Sequence, residues 1–123
     1  MPLQVSHPLQ EVEVYGQLAS VSSTSVLSMH APFQGRVIKV GAVLGAAAST
    51  ADATLTTNIA GTAITGGVVT VTQAASAAGS TFTATPTGAN TCNEDDPIGV
   101  VVTGTGTAGG PVTVFAKIRR GTF

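Results

Sequence analysis

Few residues in this chain have side chains suited to chemistry, and they are scattered. The densest run is Asn93-Glu94-Asp95-Asp96-Pro97, three adjacent carboxylates beside an amide carbonyl. Oxygen ligands of this kind suit a hard cation such as calcium, but the run is short and lacks the alternating Asp-x-Asp-x-Asp-Gly spacing that wraps an ion. The competing reading is a solvated turn in which Pro97 fixes the start of a strand at Ile98. Consecutive loop acids do not establish the facing carboxylate pair that glycoside hydrolysis needs. His7 and His30 are the only imidazoles. One lies in the N-terminal segment and the other just before Ala31-Pro32, and no serine stands in a nucleophile-elbow context, so a Ser-His-Asp device is not expected. Two histidines and Cys92 do not form a zinc-ligand pattern, and the glycine-rich stretches precede strands without a lysine placed for phosphate. The expectation is a chain that is not an enzyme, with no catalytic residue, no cofactor and no metal.

Composition explains what such a chain is built from. Its 123 residues suffice for one domain and one core. Charged residues make up 9% and aromatics 4%, with no Trp, so the core must be assembled from many Val, Ile, Leu and Ala side chains. The exterior is then mostly Thr, Ser, Gly and Ala. Such a surface repels its own copies weakly and suits a chain packed against other subunits, although a small secreted β domain with a Thr-rich coat fits the composition too. A net charge of −1 provides no concentrated basic face, which argues against nucleic acid. The basic clusters, Arg36 with Lys39 and Lys117 with Arg119 and Arg120, are expected on solvent faces of strands or at a contact rim. No apolar run is long enough to span a membrane, and the N-terminus lacks the pattern of a secretory signal, so no membrane association is expected. Cys92, the single cysteine, reads as a small buried hydrophobe.

The elements that must carry this surface are strands. Asp52 to Gly61, "DATLTTNIAG", sets Ala53, Leu55, Thr57 and Ile59 against Thr54, Thr56 and Asn58, a half-buried alternation. "TAITGGVVTVTQ" follows after Ala60-Gly61, so residues 53–72 predict a hairpin with a kink or bulge at Gly66-Gly67. "SVLSMH" predicts a strand that ends at the "APFQG" turn. In "RVIKVGAVLG", strict alternation would set Val37, Lys39, Gly41 and Val43 against Arg36, Ile38, Val40 and Ala42, and neither face is cleanly polar. Near the C-terminus Val112, Val114, Ala116 and Ile118 alternate with Thr113, Phe115, Lys117 and Arg119, after a turn drawn from Gly104, Gly106, Gly109 and Gly110. Phe82 is expected in the core, and the Ala-rich pieces "GAAASTADA" and "TQAASAAGS" are read as loops because neither has a cap or an apolar stripe. Turn signals at roughly 8–12-residue spacing predict an all-β single domain, a β-sandwich or jelly roll, over residues 25–123.

Residues 1–24 differ from this pattern. Pro2, Pro8 and the alternation in "VEVY" read as an extended N-terminal arm, with an ordinary edge strand as the alternative. In the first reading Val5, Leu9, Val12, Val14 and Tyr15 pair with or pack on a neighbouring subunit by extending a sheet edge.

The order of these pieces has a parallel. An A-P-x-x-G turn, an Asp-led strand ending near "NIAGT", the "ITGGVVTV" strand, an "AN" turn and a final "VTV-x-A-x-I-R" strand resemble the small β-sandwich head decoration, or cement, proteins of tailed bacteriophages, over about residues 26–121. The motifs are structural, so no functional residue is carried across. The chain departs from the usual pattern in one turn, where "NEDDP" stands in place of Gly-Asp, with Asp95 or Asp96 in the position of that acid. The resemblance implies a structural virion protein that binds the outer surface of a phage head and bridges subunits of the major capsid protein. It also implies a homo-oligomer, expected here as a trimer at local threefold positions, located on the capsid exterior and in the host cytoplasm during assembly. A different class of function suits the same sandwich, namely a receptor- or carbohydrate-binding module of a virion fibre or spike. Sugar sites commonly stack on exposed aromatics, and this chain has only Tyr15, Phe33, Phe82, Phe115 and Phe123.

Overall fold

The computed structural model describes residues 10–21, 26–49, 51–104, 107–108 and 110–121. Within these, the chain is nearly all β, a single sandwich of two antiparallel sheets. The first sheet orders β1 (Glu11–Leu18), β11 (Val112–Arg120), β3 (Gly35–Leu44) and β7 (Thr81–Ala84), with β8 (Thr91–Cys92) also on β3. The second orders β2 (Val26–His30), β9 (Pro97–Gly104), β5 (Ala53–Ile59) and β6 (Thr62–Val71). A two-stranded ribbon joins β4 (Ala48–Ser49) to β10 (Thr107–Ala108).

The hairpin forms where the alternation places it. β5 buries Ala53, Leu55, Thr57 and Ile59 and turns the intervening residues outward. Ile59 pairs with Thr62 across a two-residue turn in which Ala60 (φ 50°) and Gly61 (φ 88°) both have positive φ, the geometry that matches strand twist in tight hairpins. The expected bulge is present: the register runs Thr56 to Val68 and then Asn58 to Ala63, so the second arm carries the extra residues. Thr57 sits opposite them, buried, and its hydroxyl donates to the Gly67 carbonyl at 2.6 Å. That bond gives a buried carbonyl at the bulge a hydrogen-bond donor.

β3 departs from strict alternation. Val37 and Val40 are both buried, although three positions separate them, while Arg36 and Lys39 are both exposed. The pairing with β11 accounts for this, because Lys39 faces Lys117 and Val37 faces Ile118, leaving Ile38 as an extra residue. A bulge of one residue moves every later side chain to the opposite face. The Ala-rich pieces are mostly irregular, as expected, with short order: Ala48–Ser49 form β4, and Gln73–Ala75 form a single 3-10 turn.

The core holds aliphatic side chains from both sheets, among them Leu44, Leu55, Ile98 and Ile118, each at most 2% exposed. Phe82, expected inside, is half-buried at the margin of this core, because β7 is an outer strand of its sheet. Cys92 is 3% exposed, its Sγ 3.9 Å from the Phe33 carbonyl, and burial pushes its thiol above the ordinary value. The folded state thus favours the neutral thiol, and this group weakens the fold as pH rises through and beyond the ordinary thiol range. Alkylation of Cys92 at mildly alkaline pH should accordingly be at least about tenfold faster in denaturant than in buffer, read by mass spectrometry over time. Equal rates in both conditions would show that the thiol is accessible.

Candidate interaction surface

Charge is segregated between the two outer faces of the sandwich. On the first sheet, cross-strand register makes the row Glu11, Arg119, Arg36, and the row Glu13, Lys117, Lys39. These six side chains, four cations and two anions, stand on one outer face. Arg119 donates to Glu11 Oε2 from Nε at 3.0 Å and from Nη2 at 2.7 Å. The next row holds Tyr15 beside Phe115, whose ring lies over Gly41, where a Cβ would collide with it. Tyr15 is 65% exposed, and its hydroxyl donates to Glu13 at 2.9 Å, which holds the phenol above its ordinary pKa.

The second sheet presents a different surface. Its register sets Val26 against Val101, Val101 against Thr56, and Thr56 against Val68, one row across all four strands. Val26, Val101 and Val68 are 67%, 37% and 48% exposed. Around this row stand Ser28, Thr54, Thr103 and Thr70, with the Thr54 and Thr103 hydroxyls hydrogen-bonded to each other. Among the described outward side chains of this sheet His30 is the one titratable group, and it lies at the end of β2. The result is a face of β-branched side chains without formal charge across its middle. Desolvating it removes apolar methyls and a few hydroxyls from water and strands no ion, which is what a docking face requires.

Of the five side chains expected to form an interface, Val12, Val14 and Tyr15 are among the described residues. Val5 and Leu9 lie outside the described residues. Val12 and Val14 are half-buried on the inner side of β1, with Val14 packed on the core, and Tyr15 points to the opposite side. Of the two alternatives for this segment, residues 11–18 take that of an edge strand, fully paired with β11 of the same chain. That part of residues 1–24 therefore belongs to the sandwich and does not stand off it. The ladder runs from Glu11 to Leu18 against Arg119 to Val112 of β11, and the inward Val12, Val14 and Leu18 stand opposite the inward Ile118, Ala116 and Val112. Among the described residues β1 has no strand on its other side, whereas β6 is tied by an isolated bridge between Thr65 and Gly88 to the segment that follows β7.

The acidic run forms a turn. Asp96 Oδ2 accepts the Asn93 amide at 2.8 Å, Asp95 (φ 74°) lies 2.8 Å from His30 Nε2, and backbone bonds from Ala31 and Asp95 tie the loop to the end of β2. Pro97 opens β9 there. Among the described residues no group of three His, Cys, Asp or Glu side chains is arranged to hold a metal ion.

No protein-family model and no curated protein matches the sequence. Solved structures do match in shape. A chain of the capsid asymmetric unit of cyanophage Pam1 aligns with a TM-score of 0.54 at 13% identity, over 97% of this chain and 91% of that one. The carbohydrate-binding module CBM36, solved with calcium and xylotriose, aligns with a TM-score of 0.50 at 15% identity, over 89% of this chain and 98% of that one. At these identities the likeness is one of fold.

Proposed function

We propose that this chain is a structural virion protein that coats the outside of a phage head and cements neighbouring subunits of the major capsid protein. The observation that carries the reading is the uncharged face around Val26, Val101 and Val68, broad enough to cross a whole sheet. A protein of the same fold in the capsid asymmetric unit of cyanophage Pam1 supports it. Binding energy given to two capsid subunits at once opposes their separation, and a symmetric homo-oligomer, a trimer in this reading, multiplies modest contacts through effective concentration. Such work calls on no reactive group, so the chain acts without catalysis. The protein added to heads stripped of their coat is expected to co-sediment with them at saturable stoichiometry and to raise the temperature at which they rupture. Heads that neither retain it nor gain stability would remove this function.

A second reading, a receptor- or carbohydrate-binding module of a fibre or spike, draws on the exposed Tyr15 beside Phe115, since aromatic rings stack on sugars. Selective retention on a glycan array, together with failure to bind heads, would favour it.

A further inference from the structure

Gly41 interrupts a row of side chains on the outer face of the first sheet, and the gap shapes that face. Tyr15, Phe115, Gly41 and Thr83 are successive cross-strand neighbours on β1, β11, β3 and β7. Because Gly41 has no Cβ, the Phe115 ring lies across it on the sheet. The exposed ring of Tyr15 stands beside Phe115. The Tyr15 hydroxyl is already bonded to Glu13, so this side chain offers its ring.

Two ammonium groups border these rings. Lys39 and Lys117 stand in the next row, two residues along each strand from Gly41 and Phe115, a spacing of about 6–7 Å. They are direct cross-strand partners, and Glu13 opposite Lys117 sets one carboxylate against two cations. Arg119 is held by Glu11, but neither lysine has an ion pair or a hydrogen bond among the described residues. On the far side of the rings Gln17 and Thr113 are neighbours, and their side chains likewise have no hydrogen bond among the described residues.

We propose that this face binds a carboxylated sugar of a glycan chain, its ring laid on Phe115 and Tyr15 and its carboxylate received by Lys39 and Lys117. The C–H face of the sugar leaves water against the aromatic rings, and the carboxylate gains charge-assisted hydrogen bonds from ammoniums that have no other partner. Gln17 and Thr113 are placed for its hydroxyls. A nucleic acid strand would also stack on the rings, but it carries a phosphate at every residue. The arginine row beyond the lysines is already engaged and has Glu11 at its margin, so it gives a phosphate chain no continuous track. The proposal rests on the second reading above, to which it adds the charge of the ligand, and not on head attachment, which uses the other sheet.

The test is calorimetry and ligand-observed NMR on the full chain with trigalacturonic acid, a hyaluronan tetrasaccharide and sialyllactose, each beside a neutral oligosaccharide of equal length, and with a short single-stranded DNA. At least one acidic glycan is expected to bind about tenfold or more tightly than its neutral counterpart at low salt, and more tightly than the DNA. Lys39→Gln should remove most of that preference and flatten its salt dependence. Tyr15→Ala should weaken the same glycan by about threefold or more and leave the salt dependence as it was. Both side chains are exposed, so both variants should unfold at the wild-type temperature and still coat heads. No binding of any acidic glycan, equal binding of the neutral ones, DNA bound as tightly, or wild-type affinity in either variant would each overturn the proposal. Heads still coated in that case would leave the capsid reading standing.

Discussion

Val101→Glu is expected to abolish retention on phage heads while leaving the sandwich folded. Val101 lies in the middle of the uncharged row, with Val26 on one side and Thr56 on the other. A carboxylate there remains solvated in the isolated protein, so the change in folding stability should stay within about 1 kcal/mol. Docking would have to strip its water with no cation within the row to receive it, and an unpaired charge at an interface weakens binding by about 3–5 kcal/mol, or a factor of roughly a hundred to a few thousand. Lys117→Gln on the opposite sheet should change head retention little, since that face remains in solvent in this arrangement. The comparison is made by sedimentation of heads with wild type and each variant, after circular dichroism has shown that both are folded. Wild-type occupancy by Val101→Glu would exclude the uncharged face as the attachment surface.

The segregation of charge behind this expectation was only partly legible in the sequence. Lys117 and Arg119 sit two apart, so the alternation of β11 alone places them on one face, together. Arg36 and Lys39 sit three apart, and a regular strand would divide them between the core and the solvent. The bulge at Ile38 restores Lys39 to the outer face, and nothing local in "RVIKVG" announces it, because the bulge belongs to the pairing with β11. The row Val26, Val101, Thr56, Val68 was hidden for a similar reason. Its members come from strands that are distant in the chain, and their adjacency is a property of sheet order. By contrast the hairpin of residues 53–72 could be read directly, since its alternation, its two-residue turn and its glycine bulge are all local signals. The early segment held the opposite lesson. "VEVY" showed strand period plainly, but the period was equally compatible with pairing to the same chain or to a neighbour, and only the matching inward valines of β11 decide between them.

Leu55→Ala should be the most damaging single truncation in the second sheet. Leu55 is fully buried in β5, which is paired on both sides, with Val69 of β6 and Val102 of β9 as its direct partners. Both partners are themselves 2% exposed or less, and no large aromatic side chain is fully buried among the described residues to relax into the space. The small β-branched neighbours hold stiff rotamers, so the cavity should persist and the loss should approach the upper part of the range of about 2–5 kcal/mol for such a change. Against a total stability of about 5–15 kcal/mol for an ordinary domain, that is a large fraction. For a chain of this size the unfolding temperature should fall by on the order of 10–20 °C. Thr56→Ala, one residue along and half-buried on the outer face, should shift it by only a few degrees, since little volume is lost from the interior. Thermal unfolding of the two variants side by side is the measurement. If Leu55→Ala and Thr56→Ala unfold at similar temperatures, either the inward and outward assignment of β5 is reversed or the aliphatic core is soft enough to close around a missing side chain, and the rigid docking face that this core supports would lose its physical basis.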